Sequence, residues 1–231
     1  MNQISEKKFP DIIEALSVFI LACVLILISR YFLSLAGMPK ILPLAAALIF
    51  LLLPIVFIRL RKQEYSQYGL FPENILNEIS SVIKTSALIF PLFIIGFYFW
   101  QRYAIGNFAG WSLPNNLLLL SISHLLLAAL PEEVFFRGYL QTRLKMFIPA
   151  GPKALWIKCW PSIIACSTLF AACHFIIDFR ISRLAVFFPS LIFGWLKEKT
   201  GTVTAPVLFH VMCNILMVIL ETSLRHAVVS F

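Results

Sequence analysis

Charge is scarce in this sequence: 13% of its 231 residues are Asp, Glu, Lys or Arg, against about a quarter in an ordinary soluble domain. Hydrophobic residues reach 60% and the mean hydropathy is +0.90. No water-soluble core of this size hides so many Leu, Ile and Phe side chains, which excludes a soluble globular protein and leaves the bilayer as the main solvent. The five cysteines, Cys23, Cys159, Cys166, Cys173 and Cys213, include no C-x-x-C pair. That absence argues against a disulfide framework or a structural zinc knuckle. Internal repeats, low-complexity tracts and long polar domains are also missing. A basic face with interleaved aromatics is lacking too, so the net charge of +8 marks helix ends at a membrane surface, with no nucleic-acid partner.

What remains is a succession of apolar stretches, at about 12–34, 39–58, 79–101, 115–140, 161–178, 184–197 and 203–222. Each reads as a helix, the sixth being short for a span of about 20 residues. The expected fold is all-α: a polytopic transmembrane bundle of about seven spans, within a range of six to eight. Residues 140–157 and Arg59 to Ser81 read as loops, the latter with room for an interfacial helix. The first stretch is longer than a secretory signal core and reads as a retained helix. Placing the N-terminus in the cytoplasm puts thirteen Lys and Arg residues on that side and six on the other, out of 19 in all. The expected location is a cell inner membrane with the N-terminus inside.

Three places break the apolar pattern. They are Pro131-Glu132-Glu133 followed by Arg137, Phe170 followed by His174, and His210 followed by Asn214. An ionisable side chain at bilayer depth costs about 2.5–3.5 kcal/mol on insertion scales, so such groups pair with one another or line a cavity. Convergence of these residues is therefore expected. Glu133 and Arg137 are four residues apart and share a helix face. Glu132 is turned by about 100° from Glu133 and is free to face a cavity. His210 and Asn214, also four apart, present a donor pair. Phe170 lies one turn before His174 and can wall the site, and Pro131 is positioned to kink the fourth helix.

The series E-E-x-x-x-R, F-x-x-x-H and H-x-x-x-N, in this order on successive apolar helices, resembles the CAAX-protease and bacteriocin-processing family of intramembrane endopeptidases. The stretch from Phe188-Pro189-Ser190 through Gly194 and Gly201 to Pro206 and His210 resembles the family's approach to its last motif. The resemblance implies one membrane domain over 1–231, with a family-like catalytic core at about 115–222 and variable N-terminal helices at about 1–105. It also implies an enzyme that cleaves a membrane-associated or C-terminally tagged protein or peptide. Glu132 would activate water with help from His174, and His210 and Asn214 would hold the oxyanion. Glu133, Arg137 and Phe170 would support them. A donor to a developing oxyanion is worth roughly 3–4 kcal/mol. No cofactor is favoured. Zinc on Glu132, His174 and His210 is the alternative, weakened by the absence of an H-E-x-x-H pair and by Asn214, a poor zinc ligand.

Other readings stand beside this one. His124 and His226 read as structural. Cys173 and Cys213 adjoin the motif histidines but read as packing residues. A proton- or cation-coupled transporter would also place Glu and His at bilayer depth, although transporters often carry repeats that this chain lacks. A non-catalytic immunity or scaffold protein would keep the fold without the reaction. The oligomeric state is not legible.

Overall fold

The computed structural model describes residues 9–106, 113–146 and 155–229. Seven helices follow in order: α1 (Phe9–Leu35), α2 (Leu42–Leu60), α3 (Ile75–Trp100), α4 (Leu117–Met146), α5 (Leu155–Asp178), α6 (Phe187–Thr200) and α7 (Thr204–Val229). All but α6 are long and apolar enough to cross a membrane. At 14 residues, α6 rises only about 21 Å, and a 3-10 segment, Ile181–Val186, completes its path back along α5. The short sixth stretch of the sequence is the short helix α6, and seven helices with six candidate spans fall within the expected range of six to eight.

Two boundaries differ from expectation. The region read as a loop over 140–157 is helical at both ends, because α4 continues to Met146 and α5 begins at Leu155; residues 147–154 lie outside those described. Likewise α3 begins at Ile75, inside the expected Arg59 to Ser81 loop. Its start is set by Asn74, whose side chain accepts from the Asn77 backbone N–H at 3.1 Å, satisfying one of the unpaired donors of the first turn. A 3-10 turn over Tyr65–Tyr68 occupies the shortened loop.

Large apolar side chains such as Ile20, Leu48, Leu52, Leu88, Leu92 and Ile95 lie exposed along the outside of the bundle. That is the surface a bilayer requires. The inside is packed by close-approach residues: on α1, Ala15, Val18, Ala22 and Ile26 share one face and are fully or almost fully buried. Small residues of this kind let membrane helices meet closely. The central element is α4, which packs against α2, α5, α6 and α7. From Glu133 to Arg143 every one of its residues is buried.

Polar contacts tie the helix ends together on the side of the α1 N-terminus. Arg143 donates from Nη2 to Glu14 Oε1 at 3.1 Å, and Tyr139 donates to the same oxygen at 3.2 Å. Glu14 also pairs with Arg61. A second group joins α4 to α6: Gln141 Nε2 donates to Gly194 O at 3.1 Å and to Glu198 Oε1 at 3.0 Å. Lys197 Nζ donates to Thr142 Oγ1 at 2.9 Å, and Lys145 pairs with Glu198. This end of the bundle is called the basal face below.

Gly69 closes the 3-10 turn with φ +63° and accepts a hydrogen bond from Val203 N–H at 2.8 Å. A Cβ at this position would lie 2.2 Å from Gly201 O, a backbone atom with nowhere to go. Gly69→Ala is expected to lower stability by about 2–4 kcal/mol, from the left-handed backbone and the overlap together. Gly37, at φ +72° with nothing within 4 Å of a built Cβ, isolates the backbone part, and Gly37→Ala should cost about 1–2 kcal/mol. Unfolding midpoints of the two variants in detergent measure the difference.

Candidate active site

The site begins with an irregularity in α4. Regular α-helix gives way to wider π-type turns over Leu125–Ala129 and again over Val134–Gln141, on either side of Leu130–Glu133. The Leu130 N–H donates to Leu125 O, five residues back. Pro131 has no N–H and its ring crowds the preceding turn, so a widened turn there relieves both demands. The expected disturbance ahead of the glutamates is therefore a change of helical pitch. It presents Glu132 and Glu133 to different surroundings.

Glu133 faces inward and is fully buried. Its Oε1 lies 2.8 Å from His210 Nδ1, and its Oε2 lies 3.1 Å from Arg137 Nε. Arg137 is also fully buried. Its Nη2 donates to Ser190 Oγ at 2.6 Å and to Ser190 O at 3.2 Å. The guanidinium carbon sits 4.5 Å from the centre of the Phe170 ring and 5.1 Å from that of Phe193. Two aromatic faces thus cover the cation where hydrogen bonds do not. Arg137 lies in the middle of the bundle, not at a cytoplasmic helix end as the charge count assumed.

Glu132 faces the other way, towards two imidazoles. Its Oε2 has no hydrogen-bond partner among the described residues. The nearest groups are His174 Nε2 at 3.8 Å and His210 Nε2 at 3.9 Å. These gaps are too long for direct hydrogen bonds and suit a bridging water. The ring orientations are fixed from behind. His174 Nδ1 lies 2.9 Å from Phe170 O, and a carbonyl can only accept, so that nitrogen carries a proton. His210 stacks on Phe193 at 4.6 Å and 18°, while Phe170 lies 4.4 Å from the His174 ring. The two phenylalanines therefore hold both imidazoles and Arg137 at once.

The structure brings Glu132, His174 and His210 to one point, with Glu133, Arg137 and Phe170 directly behind. Asn214 lies one turn beyond His210 on α7 and is half-buried. Sequence reasoning gave no role to Phe193, nor to Ser190 beyond its place in the resembling stretch. Ser190 is fully buried, and its hydroxyl holds Arg137. Hydrogen bonds to a charged group contribute about 1.5–3 kcal/mol, so Ser190→Ala should destabilise the protein by that order, with Ser190→Thr milder; thermal unfolding of both variants checks it. His124 is half-buried on the first part of α4, and the side chain of His226 lies outside the described residues. Cys173 is buried, with its Sγ 3.6 Å from Cys23 Sγ.

Among the described residues no group of three His, Cys, Asp or Glu side chains is arranged to hold a metal ion. An apolar cavity of about 430 Å³ between α3, α4 and α7, lined by Val82, Ile122, Leu125, Val211 and Met212 among others, contains none of the site residues.

A family model described as type II CAAX prenyl endopeptidase, Rce1-like, matches residues 114–216. That span carries every site residue named above. No curated protein and no solved structure matches the chain.

Proposed function

We propose that the chain, whose residues 114–216 match the type II CAAX prenyl endopeptidase family model, is a member of that family and hydrolyses a peptide bond of a membrane-associated protein or peptide with water activated by Glu132. The single observation that carries this reading is the unpartnered Glu132 Oε2, 3.8 Å and 3.9 Å from two imidazole nitrogens on other helices. A water in that gap donates one hydrogen to Glu132 and the other to His174 Nε2, which is an acceptor when Nδ1 holds the proton of a neutral ring. The water's lone pairs then point away from both bases, towards a substrate carbonyl. As the bond to carbon forms, Glu132 takes the proton and later delivers it to the leaving amine.

The oxyanion needs donors. Glu133, 2.8 Å from His210 Nδ1, fixes the ring with Nε2 turned to the gap, from which it donates when that nitrogen carries a proton. Arg137, 3.1 Å from Glu133 Oε2, compensates that carboxylate. Asn214, one turn along α7, supplies the second donor through its amide. Ser190, Arg137, Glu133 and His210 thus form a chain of contacts whose work is to aim His210.

No metal is assigned a role. His210 Nε2 would bind an ion through its lone pair when unprotonated and an oxyanion through its N–H when protonated, and the separations of 3.8 and 3.9 Å from Glu132 are close to the distance between two ligand atoms of one tetrahedral ion with bonds of about 2.0–2.2 Å, so chelation decides between the two. Purified protein in proteoliposomes, given a panel of internally quenched peptides with and without a zinc chelator, should cleave equally in both. Loss of cleavage on chelation and recovery with zinc would move the mechanism to the metal.

A further inference from the structure

Ahead of Glu132, the apolar run of α4 carries one more ionisable side chain, His124. In an unbroken α-helix the eight steps from one to the other turn through about 800°, which leaves the two side chains about 80° apart. The π-type turn over Leu125–Ala129 takes up one additional residue, so those eight steps come close to completing two full turns. His124 and Glu132 therefore share a face of α4, about 11 Å apart along the axis. Ala128 lies between them on that face and fills it with a single methyl group.

A structural role for His124 finds no support among the described residues. An imidazole in an apolar span calls for a polar partner, yet no hydrogen bond holds His124 to another described residue. The charged groups that act on it are His210 and Glu132, both members of the site. His124 is half-buried, and its neighbours Ser121 and Leu125 line the apolar cavity together with Val211 and Met212 of α7. His124 thus stands at the seam of α4 and α7, two turns from the point where Glu132 meets the imidazoles.

A separation of about 11 Å is too long for His124 to touch the water at Glu132, so His124 stands outside the bond-making step. The same length matches about three residues of an extended peptide, at about 3.3 Å each. A substrate with its scissile carbonyl at Glu132 cannot continue along α4 towards the basal face, because every residue from Glu133 to Arg143 is buried. It lies along the earlier turns, over Ala128. We propose that His124 is a substrate-binding residue, whose imidazole donates a hydrogen bond to a substrate oxygen about three residues from the scissile bond, either a backbone carbonyl or a terminal carboxylate. The inference rests on the protease reading for what the substrate is, while the placement of His124 does not.

The test takes the peptide of the quenched panel that the full-length Glu132→Gln protein binds most tightly, made with a free C-terminus and with an amidated one. Adding His124→Leu should weaken equilibrium binding of the free-carboxylate peptide by about 3–10-fold for a carbonyl acceptor, and by more than about 10-fold for a carboxylate. With Glu132 intact, His124→Leu should raise KM by the same factor and leave kcat within about twofold, as expected when binding is lost equally in the ground and transition states. His124→Gln keeps a donor and should restore most of the affinity. The unfolding midpoint of His124→Leu should not fall, since leucine suits an apolar helix. If amidation alone weakens binding and His124→Leu adds no further loss, the acceptor is the terminal carboxylate; equal losses on both peptides identify a backbone carbonyl. Unchanged Kd and KM in His124→Leu would overturn the inference, and so would a loss that tracks a lowered midpoint and is not repaired by His124→Gln. If no peptide is cleaved while His124→Leu still weakens binding, the protease reading fails and His124 keeps its role. Cleavage that is indifferent to His124 is the reverse, and a protein that binds no peptide of the panel overturns both.

Discussion

Glu132→Gln is expected to lower the turnover of peptide hydrolysis by about 10²–10⁴-fold, the range for loss of a positioned general base. The substitution keeps the size and shape of the side chain and removes its basicity. Because Glu132 Oε2 makes no hydrogen bond within the described protein and its contacts to His174 and His210 are long, at 3.8 and 3.9 Å, the unfolding midpoint should stay near the wild-type value. His174→Gln should reduce turnover less, since it removes the second acceptor for the water and leaves the base. Initial rates on quenched peptides in proteoliposomes, together with thermal unfolding of each variant, measure both. A Glu132→Gln protein that retains full turnover would remove the proposed reaction from this residue.

Arg137→Met is expected to have the largest effect on stability. Glu133 and Arg137 are both fully buried and 3.1 Å apart. Removing one partner of a buried ion pair costs about 3–5 kcal/mol, because the other charge is left uncompensated. Here the loss extends further, since the cation also fills the space between Phe170 and Phe193. The double variant Glu133→Gln with Arg137→Met should recover part of the stability, as a neutral amide is left in place of an orphaned carboxylate. It should not recover activity, because His210 loses the carboxylate that orients its ring. Arg137→Lys is expected to rescue poorly: an ammonium cannot reach both Glu133 and Ser190 while lying flat against two rings. Denaturation of the wild type, Glu133→Gln, Arg137→Met and the double variant in detergent gives the coupling energy, and additive losses would show that Glu133 and Arg137 do not act as a pair.

The residues that meet at the site were legible in the sequence for one physical reason. Glu132, Glu133, Arg137, His174 and His210 are expensive in an apolar helix, so each had to be matched by another. Ser190 is different. A serine is cheap to bury in a helix because its hydroxyl can bond a carbonyl of the preceding turn, so its place in α6 announced nothing about Arg137. Phe193 was hidden among 22 phenylalanines. The π-type turns around Glu132 have no pattern of their own in the residues, although Pro131 pointed to a disturbance of the helix. The length of α6 was legible as a short apolar stretch. Depth was the general blind spot: a sequence gives the length of each span but not its offset from its neighbours. Those offsets place His174 near one end of α5 and Glu132 at the middle of α4, and they decide which face the site meets.

The central claim, that a water held by Glu132 attacks the substrate directly, is tested by a single turnover in water enriched in heavy oxygen. One heavy oxygen in the new carboxylate of the product, with none in the peptide containing Glu132 and no acyl group trapped on the protein, is the predicted result. Heavy oxygen in Glu132 itself, or a trapped acyl-enzyme on any side chain, would contradict it.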